Sequence, residues 1–459
     1  MPQYALVVKI STNDYTSSII QEKKYSYPDT DMPKLGPMQE QRNKISIGVT
    51  GPDLLIESGG AQNHALNVMT LLNKYYDFIY VLNPFKIEKY RKELERVSRK
   101  VDYLKEMNIR IPQCALEAIE SGTSGKWLLE KYEGDLKVDY IFNFSQDFPL
   151  FSEDFTHKLS RMKGVNFGVC FQNPCIGDAS FQSYIANSIR LSLVGRSFYI
   201  FLFRIYQYLR MVRVIHKMRG NDALDLVTIL NQECQQNISK KLGKTRLLFP
   251  ANGVLNSQIS YTDSLQGQEG DITKKNQIIF FARLSYSKGL FDLLPILKQI
   301  MSDSEIKLKV VGKFDHEFEH RIFNKRMAEF IGQGKIIYTD YLNDRDFYRE
   351  ISESKVMIYP SHSDTYPIGV LQSLYFKTPV VAYDIPALSI YREVKAVKLV
   401  REFDFQNFST EVIKILKMDD PSTLFTKEVM EFAMTHSWDK VAKQYKKNFE
   451  SILKSNEIN

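Results

Sequence analysis

From Ile45 onward, short apolar runs alternate with helical stretches, and after Phe249-Pro250-Ala251-Asn252-Gly253 the alternation begins a second time. Strands that alternate with helices pair through crossovers, which builds parallel sheets. The first series predicts strands at Ile45–Val49, Phe78–Leu82, Tyr140–Phe144, Phe167–Phe171 and Val227–Leu230, with Asn231 as a candidate helix cap. The second predicts strands at Ile278–Phe281, Leu308–Gly312, Ile336–Tyr338, Val356–Tyr359 and Pro379–Ala382. Two α/β domains facing each other leave a cleft, and open sheets of this kind bind ligands at the carboxyl ends of their strands.

The length of 459 residues accommodates two such domains of ordinary size. Four cysteines cannot form a disulfide scaffold, and Cys170 and Cys175 read as buried thiols. Every 18-residue window carries a charge, and the N-terminal Ala5-Leu6-Val7-Val8 is too short for a signal core. The expected location is therefore cytoplasmic. Residues 1–44 read as a polar extension with one strand at Tyr4–Ile10. Asp29-Thr30-Asp31 matches a metal-binding DxD pattern by chance, and Asp344-Arg345-Asp346 reads as the start of a surface helix, so no metal site is expected.

Four places in the second half share one chemical logic. Arg283 follows a strand and Lys288 is expected to open the next helix, which makes an anion site. Gly312 ends a strand where a ligand could approach the backbone. After the strand at 356–359, Asp364 and Gln372 carry oxygen-bearing side chains eight residues apart across a loop that turns into a helix, a pattern suited to phosphate and sugar hydroxyls. Asn252-Gly253 opens the second domain. Each piece alone reads as ordinary surface charge or capping; their order together does not.

That order resembles the retaining glycosyltransferases of GT-B fold, family 4. The matching residues are Asn252-Gly253-Val254, Ala282-Arg283-Leu284 with Lys288-Gly289, Val311-Gly312, Pro360-Ser361, Asp364-Thr365-Tyr366-Pro367, Val370–Leu374 and Lys377–Ala382. Trp438–Ala442 is similar to the family's closing helix and Gly59-Gly60-Ala61 to its acceptor-side loop. The resemblance implies two Rossmann-like domains, at 45–248 and 249–436, with a C-terminal helix at 437–459 packing back on the first.

It further implies transfer of a hexose, with retention, from a UDP- or GDP-sugar, and no metal or other cofactor. Arg283 and Lys288 would neutralise the leaving diphosphate, and Asp364 would contact the transferred sugar. Gly60, Asn252, Gly312, Tyr366, Ile368, Gly369 and Gln372 would complete the donor site, with Gln372 on the ribose. Gly59, His64 and Gln172 would lie on the acceptor side, and His362 stands beside the loop. Three departures stand out: the family has Glu where this chain has Asp364 and Gln372, and often His where it has Gln172. They motivate an alternative, a weak or inactive GT-B protein that binds nucleotide or glycan.

The net charge of +7 is concentrated in one segment. Between Asp178 and Asp222 there is no acidic residue, and Arg190, Arg196, Arg204, Arg210, Arg213, Lys217 and Arg219 fall there. Removing those seven from the 61 Lys and Arg leaves as many cations as the 54 acids, which argues against a general nucleic-acid coat. Phe198, Phe201 and Phe203 interleave with Arg204, Arg210 and Arg213. The many aliphatic residues fit an interfacial helix pair on an anionic membrane better than a nucleic-acid face. The other reading is an internal hairpin over the acceptor cleft. The membrane reading implies a peripheral enzyme acting on a lipid-linked or membrane-associated glycan.

Overall fold

The computed structural model describes residues 44–456 except 58, 146–153, 173–180, 243–244, 255–272 and 302–304. The expected N-terminal extension, the strand at Tyr4–Ile10, Asp29-Thr30-Asp31 and Cys175 lie outside the described residues.

The first sheet comprises β1 (Ile45–Gly51), β2 (Tyr76–Tyr80), β3 (Tyr140–Asn143), β4 (Phe167–Phe171), β5 (Leu224–Ile229) and β6 (Thr245–Leu247) in the order β2-β1-β3-β4-β5-β6. The second comprises β7 (Lys275–Phe281), β8 (Lys307–Val311), β9 (Ile336–Thr339), β10 (Ser354–Tyr359), β11 (Val380–Tyr383) and β12 (Val397–Val400) in the order β12-β11-β10-β7-β8-β9. Every recorded pairing is parallel, β10 with β7 and β1 with β3 included. Helices cover both faces of such sheets, which is why β3 and β4 are apolar on consecutive residues and buried throughout.

The sequence missed β6 and β12. Both are edge strands, and Thr245-Arg246-Leu247 and Val397-Lys398-Leu399-Val400 mix charge with apolar residues because one side meets solvent. In each sheet the strand order reverses at one place: between β1 and β3, and between β7 and β10. The loops leaving those strands diverge and open a crevice there.

The C-terminal helix, Trp438–Asn456, packs on the first helix, Gly60–Leu72. Its buried residues Val441, Tyr445, Phe449 and Ile452 recur at helical spacing. Phe449 meets the rings of Tyr76 and Phe142 edge-on at 5.5 and 5.2 Å, which returns the helix to the first sheet. The outgoing and returning crossings touch, since Val254 N–H donates to His436 C=O at 2.8 Å.

Candidate active site

The reversal between β7 and β10 gathers the cationic residues. After β7 the chain makes a short 3-10 turn, Tyr286–Lys288, so Lys288 does not open a helix as expected; the next helix begins at Leu293. Gly289, at φ 78°, leaves that turn against the Pro360 carbonyl, which a Cβ would overlap. The two loops therefore lock together, and Lys288 Nζ reaches Asp364 Oδ2 at 2.6 Å and Ser363 C=O at 3.0 Å. Tyr359 O–H also donates to Asp364, and Thr365 N–H donates to its Oδ1 at 2.7 Å.

Burial alone would raise the Asp364 carboxyl. The Lys288 ammonium and the hydroxyl and amide donors outweigh burial and hold it below the usual range. Arg283 stands at the rim, 64% exposed, 3.6 Å from Asp315. Its loop is fastened from behind by buried Glu319, which accepts from Tyr286 N–H at 2.8 Å and whose carboxyl burial pushes up to about 7.

The helix after this loop, Ile368–Tyr375, starts beside the first domain. A Cβ built on Gly60 would stand 3.9 Å from Ile368 Cδ1, so the two helix N-termini face each other across the cleft. Gly369 lies under the Phe281 ring at the end of β7, and half-buried Gln372 follows one turn after Ile368. Gly312 differs from expectation. At φ 141° it is pressed against the Ala282 carbonyl and Leu284, so its missing side chain makes room for the β7 loop rather than for a ligand.

Three other expected contacts lie behind the site. Asn252 is buried: its Nδ2 donates to Tyr366 C=O at 3.0 Å and its Oδ1 is 2.7 Å from His64 Nδ1. The other His64 nitrogen is 2.9 Å from Tyr445 Oη. His64 is fully buried, and burial lowers its pKa to about 4, so it is a neutral tie between the first helix, the crossing and the C-terminal helix, with no face for an acceptor. Tyr366 is buried as well, and its backbone shapes the loop. Gly59 is exposed and its carbonyl accepts from Asn63 N–H at 3.0 Å. The Gln172 carbonyl accepts from Thr365 Oγ1 at 2.6 Å, which joins the end of β4 to the Asp364 loop. Its Nε2 is buried with no partner among the described residues.

Residues 262–428 match the family model described as "Glycosyl transferases group 1". That match spans the second sheet and its helices, so this part of the chain is similar to the group 1 glycosyltransferases. A comparison with curated proteins gives no match. Among solved structures, Anabaena Alr3699/HepE in complex with UDP-glucose is 12% identical with a TM-score of 0.60, covering 89% of this chain and 100% of that one. A glycosyltransferase from Rickettsia africae is 15% identical with a TM-score of 0.57, covering 90% and 99%. WaaG, a glycosyltransferase involved in lipopolysaccharide biosynthesis, is 10% identical with a TM-score of 0.56, covering 87% and 98%. At these identities the likeness is one of fold: two parallel six-stranded sheets in the GT-B arrangement.

The basic segment folds as two helices, Phe181–Gly195 and Phe198–Met218, joined by a tight turn. One side of the hairpin packs on the second domain. Gly195 lies against Phe291, and the Tyr199 and Phe318 rings meet edge-on at 5.9 Å. The hairpin exposes Leu193 at the end of its first helix, Phe198, Leu202 and Leu209 along its second, and then Arg213 and Arg219.

The expected membrane contacts divide between buried and exposed positions. Arg204 is 7% exposed; its Nε donates to Ser188 Oγ at 2.9 Å and its guanidinium stacks 4.6 Å from the Tyr184 ring. It pins the hairpin together and cannot face lipid. Phe201, Phe203 and Arg210 are half-buried, whereas Phe198 and Arg213 are exposed. Among the described residues no helix is long and apolar enough to cross a membrane.

Asp344 and Asp346 open the helix Asp344–Glu353, where Asn343 Oδ1 accepts from Asp346 N–H. Cys170 is buried as expected. The sequence did not single out Tyr359, Glu319 or Glu402. Tyr359 closes an apolar strand and reads as core. Glu319 and Glu402 sit in polar stretches, and no local spacing links either to the loop it fastens.

Proposed function

We propose that the protein transfers a hexose, with retention of configuration, from a UDP- or GDP-sugar to a lipid-linked or membrane-associated glycan. The observation that carries this reading is the Lys288–Asp364 pair at the β7–β10 reversal, on the loop that also carries Arg283, with Gly60 close to Ile368 on the helix that follows. Two cations beside the departing diphosphate stabilise charge that grows as the glycosidic bond breaks. Lys288 is held at a fixed position by Asp364, so little reorganisation is needed when the phosphate arrives. Asp364, one methylene shorter than the family's Glu, is fixed by Tyr359 and Thr365 close to the transferred sugar. Gln372 reaches the ribose from the facing helix.

The complex of HepE with UDP-glucose supports a UDP-sugar as the donor. The exposed apolar face of the hairpin, ending in basic residues, supports a membrane surface as the place of the acceptor, and the role of WaaG in lipopolysaccharide synthesis agrees with it. The ordered Lys288–Asp364 pair favours an active enzyme over an inactive nucleotide-binding partner. Calorimetry with UDP, UDP-glucose and GDP-mannose, followed by a donor-hydrolysis assay, tests the reading. Binding of at least one nucleotide with slow hydrolysis is expected; binding with no turnover on any sugar or acceptor would establish the inactive alternative.

A further inference from the structure

His362 lies two residues before Asp364, yet its ring turns away from the cleft and only 1% of its side chain is exposed. Nε2 is 2.8 Å from Asp292 Oδ2 and Nδ1 is 2.9 Å from Glu402 Oε1. Asp292 also accepts from Tyr383 O–H at 2.7 Å. A ring with a carboxylate at each nitrogen donates twice and is an imidazolium. Burial opposes that charge, but Asp292 and Glu402 outweigh it and raise the pKa to about 9. The ring stacks on Phe403, centroids 4.5 Å apart, and His362 N–H donates to Ser287 C=O at 2.9 Å, in the turn that carries Lys288. His362 thus fastens both loops of the donor site to the protein behind them.

Glu402 and Phe403 face two ways. Away from His362, Glu402 Oε2 accepts from Asn187 Nδ2 at 3.4 Å and the Arg190 guanidinium lies 5.8 Å from the Phe403 ring centroid. Asn187 and Arg190 are three apart on the first hairpin helix, so they share one face. That helix belongs to the first domain's chain. One continuous set of contacts therefore runs from the hairpin, through residues 402 and 403, to His362 and the two loops that hold Lys288 and Asp364. Apolar packing would hold those loops equally well without the cost of burying charge. Here the charged link is touched on its far side by the hairpin.

We propose that His362 is a positioning residue, and that through Glu402 and Phe403 it couples the seating of the hairpin to the geometry of the Lys288–Asp364 pair. The proposal rests on the donor-site reading above. A hairpin pressed onto a surface would thereby tune donor affinity, so that an enzyme away from its acceptor holds nucleotide differently from one that has reached it. The charged and titratable groups facing this link are Asp292 and Glu402 at the ring, Tyr383 on Asp292, Arg326 acting on Asp292 and Arg190 over Phe403.

The test is UDP affinity by calorimetry in wild type, Asn187→Ala, Glu402→Gln and the double variant. Each single change should weaken UDP binding about fivefold or more. The double variant should lose less than the product of the two, since both cut one path. Wild-type affinity should fall as pH rises through about 9, where His362 loses its proton, and Glu402→Gln should move that inflection down. A purely structural role would lower thermal stability without moving the inflection. Asn187 is half-buried on a helix, so Asn187→Ala keeps the test alive if Glu402→Gln fails to fold. Unchanged UDP affinity in Asn187→Ala, or an inflection that stays put, would overturn the coupling. No UDP binding by wild type would sink the donor reading itself and the coupling with it.

Discussion

Lys288 Nζ and Asp364 Oδ2 lie 2.6 Å apart with side chains only 15% and 17% exposed, so the cation and the carboxylate act as one unit. Removing one leaves the other charged, largely desolvated and unpaired, which costs about 3 kcal/mol. Lys288→Ala should therefore lower both kcat and thermal stability. The Lys288→Ala/Asp364→Asn double variant should regain much of the stability and none of the activity. Thermal unfolding beside initial rates separates the two effects; a double variant no more stable than the single would show that the pair is not a unit.

Arg283 gives the contrasting outcome. It is exposed and only loosely paired with Asp315, so Arg283→Ala should leave the melting temperature unchanged while kcat falls roughly 10²–10³-fold, the usual effect of losing one donor to a leaving oxyanion. Near-wild-type turnover would remove Arg283 from the site.

His64 predicts an acid-sensitive fold. Its pKa is about 4 when folded and about 6.5 when exposed, so between those values the unfolded chain binds the extra proton. Its contribution is present in full above pH 6.5 and falls by about 3 kcal/mol as pH drops toward 4. His64→Gln should flatten the stability profile across that window while other carboxylate-driven losses remain. An unchanged slope between pH 6.5 and 4.5 would contradict the buried neutral ring.

For the hairpin, vesicles containing anionic lipid should bind the protein at low salt and release it as salt rises. Arg213→Gln with Arg219→Gln should cost about 2 kcal/mol, roughly a 30-fold loss, and remove much of the salt dependence. Phe198, Leu202 and Leu209 changed to Ser should weaken binding but leave the salt dependence. Arg204→Gln acts inside the hairpin and should lower stability. Wild-type protein that stays in the supernatant at low salt would refute the membrane reading and leave the hairpin as an internal cover.

The stereochemical expectation has a direct check. NMR of the first-formed product should show the anomeric configuration of the donor retained, with activity persisting in EDTA. An inverted product overturns the first point, and loss of rate restored by Mg²⁺ or Mn²⁺ the second.

The sequence displayed the two sheets because buried parallel strands are apolar on consecutive residues, and both β7 and β10 could be read that way. It did not display β6 and β12, whose edge positions dilute that signal. Arg283, Lys288 and Asp364 stood out through their spacing, and the β7–β10 reversal sets Lys288 against Asp364. His64 and Asn252 were legible as unusual residues but not as partners, since their bond spans 188 positions. Arg204 looked like its neighbours; only the packing of one helix on the other turns it inward, as Ser188 and Tyr184 show.

The outgoing and returning crossings meet at Val254 and His436, with Gly253 fitted against the start of the C-terminal helix. The chain passes between the two sheets twice at one place, beside the His64–Asn252 bond, so a change that loosens this patch loosens both connections at once.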